Sequence, residues 1–210
     1  AGRFLYGFSA SLPRRFASIL GGKLKSSGNT NLLSWQGSLY GLMEAARPIE
    51  LDPSALGTEN TSDLGIGCTA FSAHPHRVES LATTFNFGLT GKRVELYALP
   101  DRGPARRLGQ FKLPWLAMVH DFIATERHLV FIVGPAKLSA WKAILGIGAL
   151  GQAFDWVPLE GTHIVVVPLA NPDHVKEFRV APFWVWHFVN AFEDGDDVVV
   201  DLLRHENFSA

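Results

Sequence analysis

Apolar residues along this chain come in short runs, broken by Gly, Pro, Asn and Asp at intervals too short for long helices. Ser38 to Glu44 predicts a strand, Ala45-Ala46-Arg47-Pro48 a turn, and Ile49 to Leu51 a second strand. Lys92 to Leu99 alternates charged and apolar residues between Gly91 and Pro100, again a strand pattern. His128 to Val133 and Thr162 to Pro168 are short apolar runs of the same kind. Val180 to Val189 and Asp197 to Leu203 flank Glu193-Asp194-Gly195-Asp196, which reads as a hairpin turn. Many short strands with irregular turn spacing predict an all-β sandwich, barrel or propeller. There is no strict internal repeat and no low-complexity segment.

One stretch departs from this pattern. Ala140 to Gly151 is apolar without strand alternation. Helical spacing would set Trp141, Ile144 and Leu145 on one face, with Ile147 adding apolar surface nearby. Gly146, Gly148 and Gly151 work against a helix, since each costs about 1 kcal/mol relative to Ala. Two readings fit: an insertion packed on the core, or a patch that dips into one lipid leaflet.

Composition narrows the function. Over 210 residues the net charge is −1, which argues against a nucleic-acid binder with its basic stripe. The single cysteine, Cys68, excludes a disulfide scaffold and a multi-cysteine zinc site. No apolar run approaches the roughly 18 to 20 residues that span a bilayer. The chain opens at Ala1 without a methionine or a secretory pattern, and both ends read as cuts, so we expect a piece of a longer protein.

Candidate chemistry rests on histidine. His74, His120 and His187 each sit among apolar residues, too far apart in sequence to share a helix. Contributed by successive propeller blades aimed at one axis, such neutral imidazoles could bind iron, zinc, copper or nickel. Taken singly, each reads first as a satisfied core or turn histidine, and only the constellation raises the metal reading. His76 and His128 lie near these candidates, and His163, His174 and His205 look ordinary. No nucleophile elbow, phosphate-cradling glycine loop or His-Glu-x-x-His helix is present.

At these histidines the sequence resembles the carotenoid cleavage oxygenases, a family that includes apocarotenoid oxygenases, lignostilbene dioxygenases and the retinoid isomerase. Gly28-Asn29-Thr30-Asn31 looks like the family's Asn-Thr-Asn segment. Leu39 to Pro48, followed by Leu51-Asp52-Pro53, looks like its glutamate-bearing hairpin. Phe71-Ser72-Ala73-His74-Pro75, His120-Asp121-Phe122 with Thr125, and His187 followed by Asn190-Ala191-Phe192-Glu193 look like three of its iron-ligand motifs. The motifs occur in order from about Lys23 to Asp201.

The resemblance implies a seven-bladed β-propeller with a dome of loops and helices, of which residues 1–210 would be an incomplete catalytic domain. It implies iron(II) on the axis, with His74, His120 and His187 as three of four ligands and Glu44 as a carboxylate orienting a ligand imidazole. The fourth histidine and two further glutamates have no counterpart up to Ala210, which leaves a truncated, non-catalytic piece as the competing reading. Thr30 matches a threonine beside an open coordination position. Met43, Phe122 and Trp186 are expected along the substrate path. Because Met43 stands where stilbene-cleaving members carry lysine, the resemblance favours an apolar carotenoid or apocarotenoid over a lignostilbene or an isomerase ester. The partners implied are that polyene and O2, with no nucleic acid and no obligate protein partner. Trp141, Ile144, Leu145 and Ile147 are the expected contact of a cytoplasmic, peripherally membrane-associated protein.

Overall fold

The computed structural model describes residues 26–44, 46–139, 142 and 153–208. Within them the chain folds as consecutive antiparallel sheets. The first holds β1 (Asn31–Trp35), β2 (Ser38–Leu42), β3 (Ile49–Leu51) and β4 (Thr58–Thr61) in chain order. The second holds β5 (His76–Val78), β6 (Thr83–Thr90), β7 (Arg93–Pro100) and β8 (Arg106–Lys112), again in order. The third pairs β9 (Ile123–Ala124), β10 (His128–Val133), β13 (Thr162–Pro168) and β14 (Lys176–Val180). Between β10 and β13 the chain makes an excursion through the hairpin β11 (Ala136–Leu138) and β12 (Phe154–Trp156). The last sheet is β15 (Trp184–Asp194) with β16 (Asp197–His205).

Each sheet is a meander, the form of a propeller blade. Strand β5 packs beside β9, and β9 beside β15, so the first strands of successive blades line one axis. The core lies between blades rather than within any one of them. Phe87, Val94, Leu96, Phe122, Phe131 and Val165 join the second blade to the third. Leu33, Leu42, Phe71, Tyr97 and Leu99 join the first to the second. Strand β7 therefore presents successive side chains to opposite neighbours, and both of its faces are buried. The alternating Lys92–Leu99 pattern hides this. Glu95, a polar position in that pattern, is buried, accepting the Tyr97 hydroxyl at 2.9 Å and the Arg107 guanidinium at 2.9 Å. A buried carboxylate is tolerated when its oxygens are so satisfied.

Strands β3, β10 and β13 have the bounds that the sequence predicts. The strand expected from Val180 to Val189 differs. Val180 closes β14, the chain breaks at Ala181-Pro182-Phe183, and β15 runs from Trp184 through Asp194. Pro182 lacks the N–H that a continuous strand would need there. The predicted turn follows at once, with Gly195 at φ 60° between the paired Asp194 and Asp197. At Gly134, a Cβ would lie 2.6 Å from the Trp184 ring, so only glycine lets that indole close over the end of β10. Trp141, Ile144, Leu145 and Ile147 lie outside the described residues. Among those described, no helix is long and apolar enough to cross a membrane.

Candidate metal centre

The three histidines stand at equivalent places. His74 lies two residues before β5, His120 three residues before β9, and His187 is in the first half of β15. Each is at the axial strand of its own blade, so the meander topology brings them together despite their separation in sequence. Local hydrogen bonds fix the segments. Asn31 donates its amide to Ala73 O at 2.9 Å, and Ser72 Oγ accepts the His74 N–H at 3.1 Å. Ser72 is itself tied to β6, its N–H donating to Phe87 O at 2.7 Å and its carbonyl accepting Asn86 Nδ2 at 2.9 Å.

The rings converge. Centroids are 4.4 Å apart for His74 and His120, 5.0 Å for His120 and His187, and 5.1 Å for His74 and His187. One nitrogen from each lies within 4.8 Å of the other two. His120 Nε2 and His187 Nε2 are 3.2 Å apart. Two ligands about 2.1 Å from one ion lie about 3.0 Å apart at a right angle and about 3.4 Å apart at a tetrahedral angle. The observed spacing falls between these. His74 Nε2 is buried without a hydrogen-bond partner, the state of a nitrogen that lacks its acceptor or its ion. The donor set therefore fits a divalent transition metal.

Glu44 closes the cluster from the turn after β2. Its Oε1 lies 3.1 Å from His120 Nδ1 and 3.7 Å from His74 Nε2. The 3.1 Å contact falls short of a full hydrogen bond, and neither atom makes a hydrogen bond elsewhere. The approach of His120 still holds the Glu44 carboxyl below the ordinary carboxylate value, against the opposing effect of burial. With its Nδ1–H toward Glu44, His120 presents the Nε2 lone pair to the other imidazoles. Burial, and next the neighbouring His120, lower the His74 pKa and favour its neutral, metal-competent form.

Other expected residues fall in varied places. Trp186 is half-buried with its indole edge-on to His120, centroids 5.2 Å apart. Strict alternation on β15 would set Trp186 and His187 on opposite faces. The pairing with β16 is irregular between Val185 and Asn190, and both residues approach His120. Met43 is half-buried beside Glu44, and its sulfur receives the Ser27 N–H at 3.0 Å. Thr30 is exposed at the bend before β1, its N–H donating to Leu42 O at 2.9 Å, and it has no hydrogen bond to the imidazoles. Phe122, expected along the substrate path, is instead a core residue. It is fully buried between Phe87, Phe131 and His76, because the residue after Asp121 turns into the space between blades.

Asp121 has no part in the roles expected from sequence, although a carboxylate between Val119-His120 and Phe122 in an apolar run is itself a signal. It is buried and receives hydrogen bonds from three directions. Glu193, read as part of the hairpin, is a tie between blades. It accepts Thr125 Oγ1 at 2.5 Å, His128 Nδ1 at 3.0 Å and Arg127 Nη2 at 3.1 Å. A cavity of about 730 Å3 lies among β5, β9 and β15, lined by His76, Thr125, Phe188, Asn190 and Glu193 but not by the three imidazoles.

Blades that gather three imidazoles at their axis define a protein of the β-propeller class with a candidate metal centre. A sequence profile of the retinal pigment epithelial membrane protein family matches residues 1–210. The chain is 29% identical to the apocarotenoid-15,15'-oxygenase of Synechocystis over 99% of its own length and 45% of that protein's. It is also 29% identical to isoeugenol monooxygenase of Pseudomonas putida, over 87% of this chain and 39% of that one. Among solved structures, a mutant of the Synechocystis apocarotenoid oxygenase superposes with a TM-score of 0.78 at 25% identity, covering 92% of this chain and 42% of that one. A cobalt-substituted form of the same enzyme gives 0.72 at 26% identity, over 86% and 40%. The chain belongs to this family, the carotenoid cleavage oxygenases. It spans less than half the length of these relatives.

Proposed function

We propose that this chain supplies three histidine ligands of an iron(II)-dependent dioxygenase that cleaves a conjugated C=C bond of a carotenoid or apocarotenoid to aldehyde or ketone products. The observation that carries the reading is the convergence of His74, His120 and His187, with an unpartnered buried nitrogen on His74. These three imidazoles would hold the metal, and Glu44 would keep the His120 ring in the tautomer that offers Nε2. Bound iron would supply the redox chemistry that lets O2 react with the alkene. The protein's share is orientation and the exclusion of water. Trp186 sets an aromatic face beside His120, against which an apolar polyene can lie. Met43 offers such a substrate a thioether surface, with no charge to hold a phenol. Thr30 would border the open side of the centre. Peripheral membrane contact through Trp141, Ile144, Leu145 and Ile147 would give access to a lipid-dissolved substrate.

The test is metal content and product formation. Protein carrying this chain, purified without oxygen, should retain iron in near-stoichiometric amount and lose it on His74→Ala. Given O2 and an apocarotenoid in detergent, it should release an aldehyde carrying label from 18O2. Iron retention together with cleavage of a hydroxystilbene but of no apocarotenoid would overturn the substrate assignment. Failure to retain iron would overturn the reading as a whole.

A further inference from the structure

We propose that Asp121 is a positioning residue that clasps all three histidine segments to one another across the axis. The proposal rests on the metal reading above and deepens it. Asp121 immediately follows His120, and its side chain is 5% exposed. Its Oδ1 lies 2.8 Å from His76 Nε2, two residues beyond His74. The same oxygen accepts the Phe122 N–H at 2.8 Å, and Oδ2 accepts the Phe188 N–H at 3.3 Å. Phe188 immediately follows His187, within the irregular part of β15. One carboxylate thus touches the segment of each candidate ligand, one from each of three blades. An ionised carboxylate only accepts, so His76 donates Nε2–H, and its ring is further fixed edge-on to Phe122 with centroids 4.9 Å apart.

The chemistry of each bond suits positioning. Two of the three donors are backbone amides, so Asp121 fixes main chain and sets where the Cα atoms of His120 and His187 stand. Glu44 acts differently, touching the imidazole of a candidate ligand, His120, directly. Loss of a residue that orients metal ligands typically lowers metal affinity about 10- to 100-fold. Glu193 supplies the comparison, because it too joins the third blade to β15 through several hydrogen bonds, yet lies at the hairpin end of β15 and bonds to none of His74, His120 and His187.

The experiment titrates metal-free protein with Co2+ and records the affinity and the visible d–d absorption, alongside the melting temperature of the metal-free form. Asp121→Asn keeps size and one acceptor oxygen but cannot accept on both sides. It should weaken Co2+ binding about 10- to 100-fold and shift the d–d bands. Glu193→Gln should lower the melting temperature and leave both cobalt readouts at wild-type values. If Asp121→Asn does not fold, His76→Leu carries the test, with weaker binding and shifted bands expected and His76→Gln restoring part of both. Wild-type affinity and spectrum in Asp121→Asn or His76→Leu would overturn the clasp alone, as would equal cobalt effects in Glu193→Gln. Absence of Co2+ binding by the wild-type protein would overturn the metal reading and the clasp with it.

Discussion

Two carboxylates join the third blade to β15, and they do so in unlike ways. At the histidine end, Asp121 is buried and bonded largely to backbone amides. At the hairpin end, Glu193 is bonded mainly to the side chains of Thr125, His128 and the half-exposed Arg127, with the Arg127 N–H at 3.3 Å its one main-chain donor. A tie to main chain fixes geometry, because amides cannot swing away. A tie among side chains tolerates adjustment and serves adhesion. The difference teaches that one strand can carry precision at one end and simple cohesion at the other.

The strongest challenge to this contrast is removal of an imidazole. His120→Ala deletes the ring facing both Glu44 and His187, and should reduce Co2+ affinity more than 100-fold by isothermal titration. Retention of wild-type affinity would mean that the histidine end is not a metal centre. Glu44→Gln should have a smaller effect, about tenfold, since the amide can still accept from His120 Nδ1 but carries no charge. At the other end, Thr125→Val removes the hydroxyl bonded to Glu193 and should cost about 1–1.5 kcal/mol in urea unfolding, with no change in metal affinity. A change in affinity there would erase the division of labour.

Acid separates the two ends more gently. The folded pKa of His74 lies below 6.5, from burial first and His120 next, so the unfolded chain takes up that proton more readily. Stability of the metal-free protein should therefore fall as pH drops below 6.5. Glu193 is pushed up by burial, yet bonds from Thr125 and His128 and the Arg127 charge hold it below 4.5 overall. Its contribution is complete above 4.5 and fades as pH falls through its lower folded value, as does that of Glu44. Melting temperature against pH should thus decline in two stages. His74→Ala should flatten the upper stage and Glu193→Gln reduce the lower one. A decline that begins only below 4.5 in the wild type would break the assignment.

Much of this was legible in the sequence, for physical reasons that also mark where legibility ends. Strands β10 and β13 announce themselves because both carry apolar runs between polar turns. Strand β14 is exposed at all five positions, so no burial pattern distinguishes Lys176 to Val180 from a loop. Strand β6 is buried, yet its Thr, Asn and Gly residues blur the apolar signal. At the site, apolar settings single out His74, His120 and His187 and a propeller axis offers a way to join them, whereas Glu44 is legible only through motif resemblance. Phe122 misled because proximity in sequence to His120 says nothing about direction, and its ring turns into the core. The approach of Trp186 depends on a pairing irregularity in β15 that no period-two pattern contains.

The described cluster offers three imidazole nitrogens, with neither thiolate nor carboxylate among its donor atoms. Such nitrogen donors rank divalent ions by the general order in which copper and zinc outcompete iron. Loading with iron would then be decided less by the protein's own preference than by which ion the surrounding cell makes available while the blades close.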